Sequence, residues 1–178
     1  KITGHITFVI IFIFFSTLEA KNLDKYAKAD NIADYFSGIL LLNQSKYTDS
    51  YQYFRKLDGL EDSHLNYSRK YIYSLINSGN FSQAFNFAKK LNRSQRNNFE
   101  SDIVLGINFL KNSKYDLAKK YFNKAKKNNS ISVLNNYILN TLYIWSDLEG
   151  VTLEEAKLKL NQLDNRFHSL KKIQSVFL

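Results

Sequence analysis

Three segments of this chain repeat the same pattern at a constant interval of 34 residues. Each segment opens with Tyr or Phe, has a small residue three positions later, and has apolar residues seven and ten positions later. The three sets are Tyr47, Ser50, Phe54, Leu57; Phe81, Ala84, Ala88, Leu91; and Tyr115, Ala118, Phe122, Ala125. A fixed interval of this length marks a repeated supersecondary element, so it constrains the fold more than any local motif does.

A second set of residues recurs at the same interval upstream of the first. The series are Gly38, Ile72, Gly106; Leu41, Leu75, Phe109; and, at the intervening turn, Ser45, Gly79, Ser113. Each repeat is therefore predicted to contain two antiparallel helices joined by a short turn. A compact residue such as Gly106 lets the helices approach, and a larger side chain there is expected to overpack the crossing.

A fourth repeat is predicted from Val133 onward, with a longer turn between its helices. Its apolar positions are Leu139, Leu142 and Tyr143 in the first helix and Leu153, Ala156, Leu160 and Leu163 in the second. Thr152 and Glu155 have the spacing of a capping box, which predicts a helix start. Residues 164–178 read as a further amphipathic helix, which would either cap the stack or begin a truncated repeat.

These features resemble the tetratricopeptide repeat (TPR). The residues that match its pattern best are Leu105, Gly106, Phe109, Tyr115, Ala118, Phe122 and Ala125. The resemblance covers residues 31–163 and implies an all-α fold, a right-handed α-solenoid of about four antiparallel helix pairs. The chain departs from the family where an aromatic residue is expected near the start of the first helix, because Asp34, Ser68 and Asp102 stand there.

The resemblance also implies a concave groove that is lined mainly by the first helix of each repeat. The residues assigned to a peptide-binding groove in this way are Tyr35, Asn43, Arg69, Tyr73, Asn77, Ile107, Lys111 and Tyr137. Asn43, Asn77 and Lys111 share one register position, and asparagine amides can hydrogen-bond an extended peptide backbone of any sequence. Solvated polar residues at helix ends are the alternative interpretation of this row.

The N-terminal residues predict export. Residues 6–15 are apolar apart from Thr7, and a short polar stretch ending at Ala20 follows, which is the layout of a signal peptide over residues 1–20. The apolar run is about half the roughly 20 residues that a spanning helix needs. A periplasmic or cell-envelope location is expected, with an uncleaved membrane anchor as the alternative, and residues 21–30 form a linker or the start of the first helix.

No enzyme, cofactor or metal signature is present in the sequence. The chain has no cysteine, and His64 and His168 are far apart, so neither a thiolate site nor a helical histidine pair can form from them. No glycine-rich phosphate loop or nucleophile motif occurs. The sequence therefore predicts a protein that is not an enzyme and that has no cofactor.

The formal charge of +9 is concentrated in the second helices of the repeats. The lysines concerned are Lys89, Lys90, Lys119, Lys120, Lys124, Lys126 and Lys127. They form either a solvated face or a surface that attracts anionic lipid headgroups or acidic polymers. Nucleic acid is not an expected partner, because the aromatic residues lie at core positions rather than between the basic ones.

Together these features predict an exported scaffold that binds a protein or peptide in its groove and supports assembly of a complex in the cell envelope. The alternative is an N-terminal docking arm of a larger enzyme, or of a secretion or polysaccharide-export component. The chain starts with Lys1 and stops within an apolar stretch, so a fragment of a longer protein is expected.

Overall fold

The computed structural model of the protein describes residues 29–127 and 132–178. The expected signal peptide, and all but the last two residues of the expected linker over residues 21–30, lie outside these ranges. Within them every regular element is a helix and no strand occurs, so the all-α prediction is confirmed. None of the helices in these ranges has both the length and the apolar character needed to cross a lipid bilayer.

The chain divides into two compact units at the turn between Ser78 and Gly79. The described part of the N-terminal unit contains α1 (Ala29–Asn43), α2 (Tyr47–Arg55), a 3-10 turn (Leu60–Asp62) and α3 (Leu65–Asn77). Helix α2 packs against both α1 and α3. This unit therefore contains the first helix pair and the first helix of the second repeat.

The C-terminal unit is larger and contains six helices in its described residues. They are α4 (Phe81–Arg93), α5 (Phe99–Lys111), α6 (Tyr115–Lys127), α7 (Val133–Ser146), α8 (Leu153–Asn161) and α9 (His168–Phe177), with 3-10 turns at Leu148–Gly150 and Asn165–Phe167. Consecutive helices pack against each other from α4 to α9. The predicted helix starts at Tyr47, Phe81, Tyr115, Val133 and Leu153 are all confirmed.

The crossing of α1 and α2 shows why compact residues recur at the 34-residue interval. Gly38 and Ser50 are buried, and the Ser50 Oγ hydroxyl donates to the carbonyl oxygen of Gly38 at 2.8 Å. A Cβ atom added to Gly38 would lie 2.7 Å from Cε1 of Phe54, which is closer than side chains can pack. The aromatic ring of α2 thus occupies the space that glycine leaves open.

The α5–α6 crossing repeats this arrangement in the C-terminal unit. Gly106 faces the ring of Phe122, and a Cβ atom on Gly106 would lie 2.6 Å from Cδ1 of that ring. Phe122 is buried in a core cluster with Ala118, Ala125 and Leu139. The ring therefore has little room to move away from a larger residue at position 106.

The turn between paired helices has the same backbone geometry in three repeats. Ser45, Gly79 and Ser113 all have positive φ angles, of 59°, 78° and 54°. After α1 and α5, the backbone N–H three residues beyond the last helical residue closes a Schellman motif, with Lys46 donating to the carbonyl of Leu41 and Lys114 to that of Phe109. Two serines thus adopt a conformation that usually selects glycine.

Three of the first helices also begin in the same way. The side chains of His64, Asn98 and Ser132 accept hydrogen bonds from backbone N–H groups three residues later, at 3.2, 2.8 and 3.2 Å. These caps are again 34 residues apart. The second helices differ, because the N-cap residues Lys46 and Asn80 make no side-chain cap bond. The predicted Thr152–Glu155 capping box at α8 is confirmed.

Replacing Gly106 by alanine tests the close approach at the α5–α6 crossing. We expect Gly106→Ala to lower the free energy of unfolding by about 1–3 kcal/mol, because the added methyl overlaps the buried ring of Phe122. Gly150→Ala is the matched control, since no atom lies within 4 Å of a Cβ atom placed there. Chemical denaturation measures both, and equal stabilities of the two variants would contradict the crossing geometry.

Candidate peptide-binding face

Asn43, Asn77 and Lys111 are the last helical residues of α1, α3 and α5. All three side chains are exposed. The register position that predicted them therefore ends a helix each time, immediately before the turn described above. A polar residue at this place can serve its own helix end or a ligand, and the local hydrogen bonds distinguish these roles.

Asn77 serves its own helix in part. Its Nδ2 group donates to the carbonyl oxygen of Tyr73, one turn earlier in α3, at 2.8 Å. An asparagine side chain has a second amide hydrogen and a carbonyl oxygen. Within the described residues these two groups have no partner, so they remain available to an extended chain.

Tyr73 adds an aromatic surface beside Asn77. Its side chain is 49% exposed, and its ring meets that of Tyr47 edge to face, with the centroids 6.1 Å apart. Tyr47 opens α2, so sequence reasoning used it only as a helix start and not as part of the face. In the N-terminal unit the face therefore contains two tyrosine rings as well as the amide. Arg69, one turn before Tyr73, is also exposed.

Tyr35 is half-buried in the N-terminal unit. Its ring lies 5.0 Å from the imidazole of His64 and 6.1 Å from the ring of Phe54. Burial raises the pKa of the Tyr35 phenol above its ordinary value. The resemblance assigned this residue to the groove, and in the structure its ring packs beside His64, the residue that caps α3.

Tyr137 occupies the same register position in the C-terminal unit and is packed in the same way. It is 4% exposed, and its ring lies 4.5 Å from that of Phe167, which directly precedes α9. A ligand could contact this ring only if Tyr137 left its site. Ile107, in contrast, is 45% exposed on α5, one turn before the exposed Lys111.

A polar cluster lies between α4, α5 and α6, where the sequence shows Asp102 in place of an expected aromatic residue. Asn97 Nδ2 donates to Asp102 Oδ1 at 2.7 Å and to Asn92 Oδ1 at 3.3 Å. Lys124 Nζ also donates to Asn92 Oδ1, at 3.2 Å. Asp102 is fully buried, and this burial raises its pKa to about 6, against the opposing effects of Asn97 and Lys124.

A second charged site ties three helices of the C-terminal unit together. The two carboxylate oxygens of Asp147, at the end of α7, accept hydrogen bonds from Lys119 of α6 at 2.7 Å and from Lys159 of α8 at 2.6 Å. These bonds hold the pKa of Asp147 below its ordinary value. Asp147 begins the lengthened turn of the fourth repeat, which makes the ion pairs possible.

Neither cluster resembles a metal site, and within residues 29–127 and 132–178 no three potential metal ligands converge. Comparison with known proteins adds no relative: no protein family, no curated protein and no solved structure matches the chain. The class of protein established is therefore an all-α protein.

Asp102 and Asp147 should give the stability of the protein opposite dependences on pH. Asp102 keeps its proton in the folded state up to about pH 6 but loses it near pH 4 when unfolded, so the free energy of unfolding falls as pH rises through this window. The total fall is about 3 kcal/mol at one pKa unit per 1.36 kcal/mol. We expect Asp102→Asn to remove the fall and to be more stable than the natural chain at neutral pH.

Asp147→Asn is the matched comparison. Because the folded-state pKa of Asp147 is lowered, its ion pairs stabilise the protein above the ordinary pKa and this contribution is lost as the pH falls. The variant should lose stability at neutral pH, by less than about 1 kcal/mol because the pairs are partly exposed. Denaturant titrations across the acidic range measure both variants, and unchanged pH dependence in Asp102→Asn would contradict the assignment.

Proposed function

We propose that this chain is an exported, TPR-like scaffold that binds a protein or peptide along the exposed face of its first helices. In this proposal the helix pairs form a right-handed α-solenoid of about four repeats. The bound segment links the scaffold to a complex in the cell envelope. The export component rests on the apolar run at residues 6–15, and the binding component rests on the described helices.

One observation carries the proposal: the 34-residue register separates buried residues from exposed polar ones. Gly38, Ile72 and Gly106 are buried, and the two glycines lie at helix crossings. Five positions further along the same helices, Asn43, Asn77 and Lys111 are exposed. A face that is open at the same position in successive repeats suits a partner that is itself periodic, such as an extended peptide.

The chemistry of the exposed side chains indicates what kind of segment would bind. The amide of Asn77 can both donate to and accept from a peptide backbone, and Lys111 can donate to its carbonyl groups. Tyr73 and Ile107 are each nearly half exposed and offer apolar contact to side chains of the ligand. The best-suited ligand is therefore an extended segment with apolar side chains rather than a strongly charged one.

Peptide selection tests this function directly. The full chain is immobilised and used to enrich binders from a random display library, and the affinity of each enriched peptide is measured by calorimetry. We expect Tyr73→Ala and Asn77→Ala each to weaken binding by about fivefold to tenfold, since each substitution removes a contact of about 1 kcal/mol. Lys111→Ala tests the C-terminal unit in the same way.

The second helices provide matched controls for these substitutions. Asn86 of α4 and Asn123 of α6 are also exposed, so Asn86→Ala and Asn123→Ala change the same type of side chain outside the proposed face. Their affinities should remain within about twofold of the natural chain. Equal losses in both groups would show that the face is assigned to the wrong helices, and a library without enriched peptides would overturn the binding function.

A further inference from the structure

The excess of basic over acidic residues in the C-terminal unit is concentrated in two of its helices. Helices α4 and α6 together contain eight basic residues and one acidic residue: Lys89, Lys90, Arg93, Lys119, Lys120, Lys124, Lys126, Lys127 and Asp116. Helix α5 contains Glu100, Asp102 and Lys111, α7 contains no charged residue, and in α8 two glutamates balance two lysines. Most of the net positive charge of this unit therefore lies on α4 and α6.

Some basic side chains of α4 and α6 form ion pairs, hydrogen bonds or ring contacts within the described residues, and others form none. Lys119 pairs with Asp147, and Lys124 donates to Asn92 while its ammonium lies 5.1 Å above the Tyr121 ring. Lys89 lies 5.5 Å above the Phe85 ring. Four others are exposed and form neither an ion pair nor a ring contact within the described residues: Arg93, Lys120, Lys126 and Lys127. These four define the cationic face, on which Lys127 lies toward α4 and Lys126 toward α7.

Three members of the cationic face lie in the last turns of α4 and α6. The hydrogen bond from Lys124 to Asn92 places these two helix ends beside each other. Between them lies an open cleft of about 340 Å³, lined by Asn92, Gln95, Asn97, Asp102, Lys124 and Lys127. Amide and ammonium donors thus surround a space that can accept a phosphate group, with Asp102 as its one carboxylate.

We propose that the cationic face binds the phosphate-bearing headgroups of anionic lipids at a bilayer surface. Each helix is about 20 Å long at 1.5 Å per residue, and the hydrogen bond from Lys124 to Asn92 holds the C-terminal end of α4 beside α6. The basic residues on two neighbouring helices therefore form a two-dimensional array, which matches a planar surface better than a single extended polymer. This surface is distinct from the peptide-binding face and does not depend on it.

Binding at this face would be electrostatic and peripheral. The large apolar side chains exposed on α4 and α6 are Phe81 and Leu117, and both lie in the first turns, at the helix ends opposite Arg93, Lys126 and Lys127. The basic helix ends thus offer no apolar group for insertion into the lipid. Attraction between lysines and an anionic bilayer is screened by salt, which gives the proposal a second measurable property.

Vesicle cosedimentation with the full chain tests the proposal. The probes are vesicles of phosphatidylcholine alone and vesicles in which phosphatidylglycerol replaces part of it. Binding through an apolar segment would not distinguish the two kinds of vesicle, so the difference between them isolates the electrostatic contribution. We expect binding to the anionic vesicles to be at least about tenfold tighter, given roughly tenfold per few basic residues near a surface, and to fall when salt is raised from about 50 to 300 mM.

Two triple variants of equal charge change locate the interaction. Lys120→Gln, Lys126→Gln and Lys127→Gln together should reduce the preference for anionic vesicles by about tenfold. Lys46→Gln, Lys114→Gln and Lys172→Gln together are the control, because these side chains are also exposed but lie outside α4 and α6. Their combination should leave the preference largely intact.

Three results would overturn the proposal. Equal binding to both kinds of vesicle would exclude an electrostatic bilayer contact. Equal losses in the two triple variants would show that only net charge matters and not the cationic face. Binding to soluble polyglutamate without binding to the anionic vesicles would identify an acidic polymer as the partner. None of these outcomes bears on peptide selection, so the two proposals fail independently.

Discussion

The close approach of paired helices over a glycine is the constraint on which both units depend. At Gly38 and at Gly106 an aromatic ring of the second helix lies where a Cβ atom would be, so the distance between the helices is set by the absence of a side chain. Ser50 adds a buried hydrogen bond to the backbone at the first of these crossings. The rings of Phe54 and Phe122 then determine which neighbouring residues are packed around each crossing. The 34-residue interval in the sequence reflects the recurrence of this helix crossing.

The sequence was sufficient to predict the helices because the residues that recur are those that the crossing requires. A glycine on the first helix recurs with an aromatic residue on the second, as Gly38 with Phe54 and Gly106 with Phe122, and the second repeat has Ile72 and Ala88 at these two positions. The N-caps were missed although they recur at the same interval, because histidine, asparagine and serine can all accept the same hydrogen bond. The sequence alone does not identify His64 and Ser132 as equivalent. In the structure, the side chain of each accepts a hydrogen bond from the backbone N–H three residues later.

The candidate face was harder to predict than the fold, and the reason lies in the connections between repeats. Asn43, Asn77 and Lys111 end their helices, where exposure follows from position alone. The exposure of Tyr35 and Tyr137 depends instead on residues that precede a later helix. His64, before α3, packs against the ring of Tyr35, and Phe167, before α9, packs against the ring of Tyr137. These partners come from about thirty residues downstream. Assigning groove residues by their position within one helix therefore cannot identify these packing partners.

Asp102, at a position where the resemblance to the tetratricopeptide repeat predicts an aromatic residue, has a consequence for the C-terminal unit. An aromatic ring at Asp102 would need only apolar neighbours, whereas the buried carboxylate is surrounded by Asn97, Asn92 and, through Asn92, Lys124. This chain of hydrogen bonds fixes the end of α4 against α6 and therefore places the basic side chains of both helices together. The buried polar cluster thus helps to organise the charged surface. In the C-terminal unit α4 and α6 are basic whereas α5 and α7 have little charge, so the two proposals assign a peptide and an anionic surface to different helices.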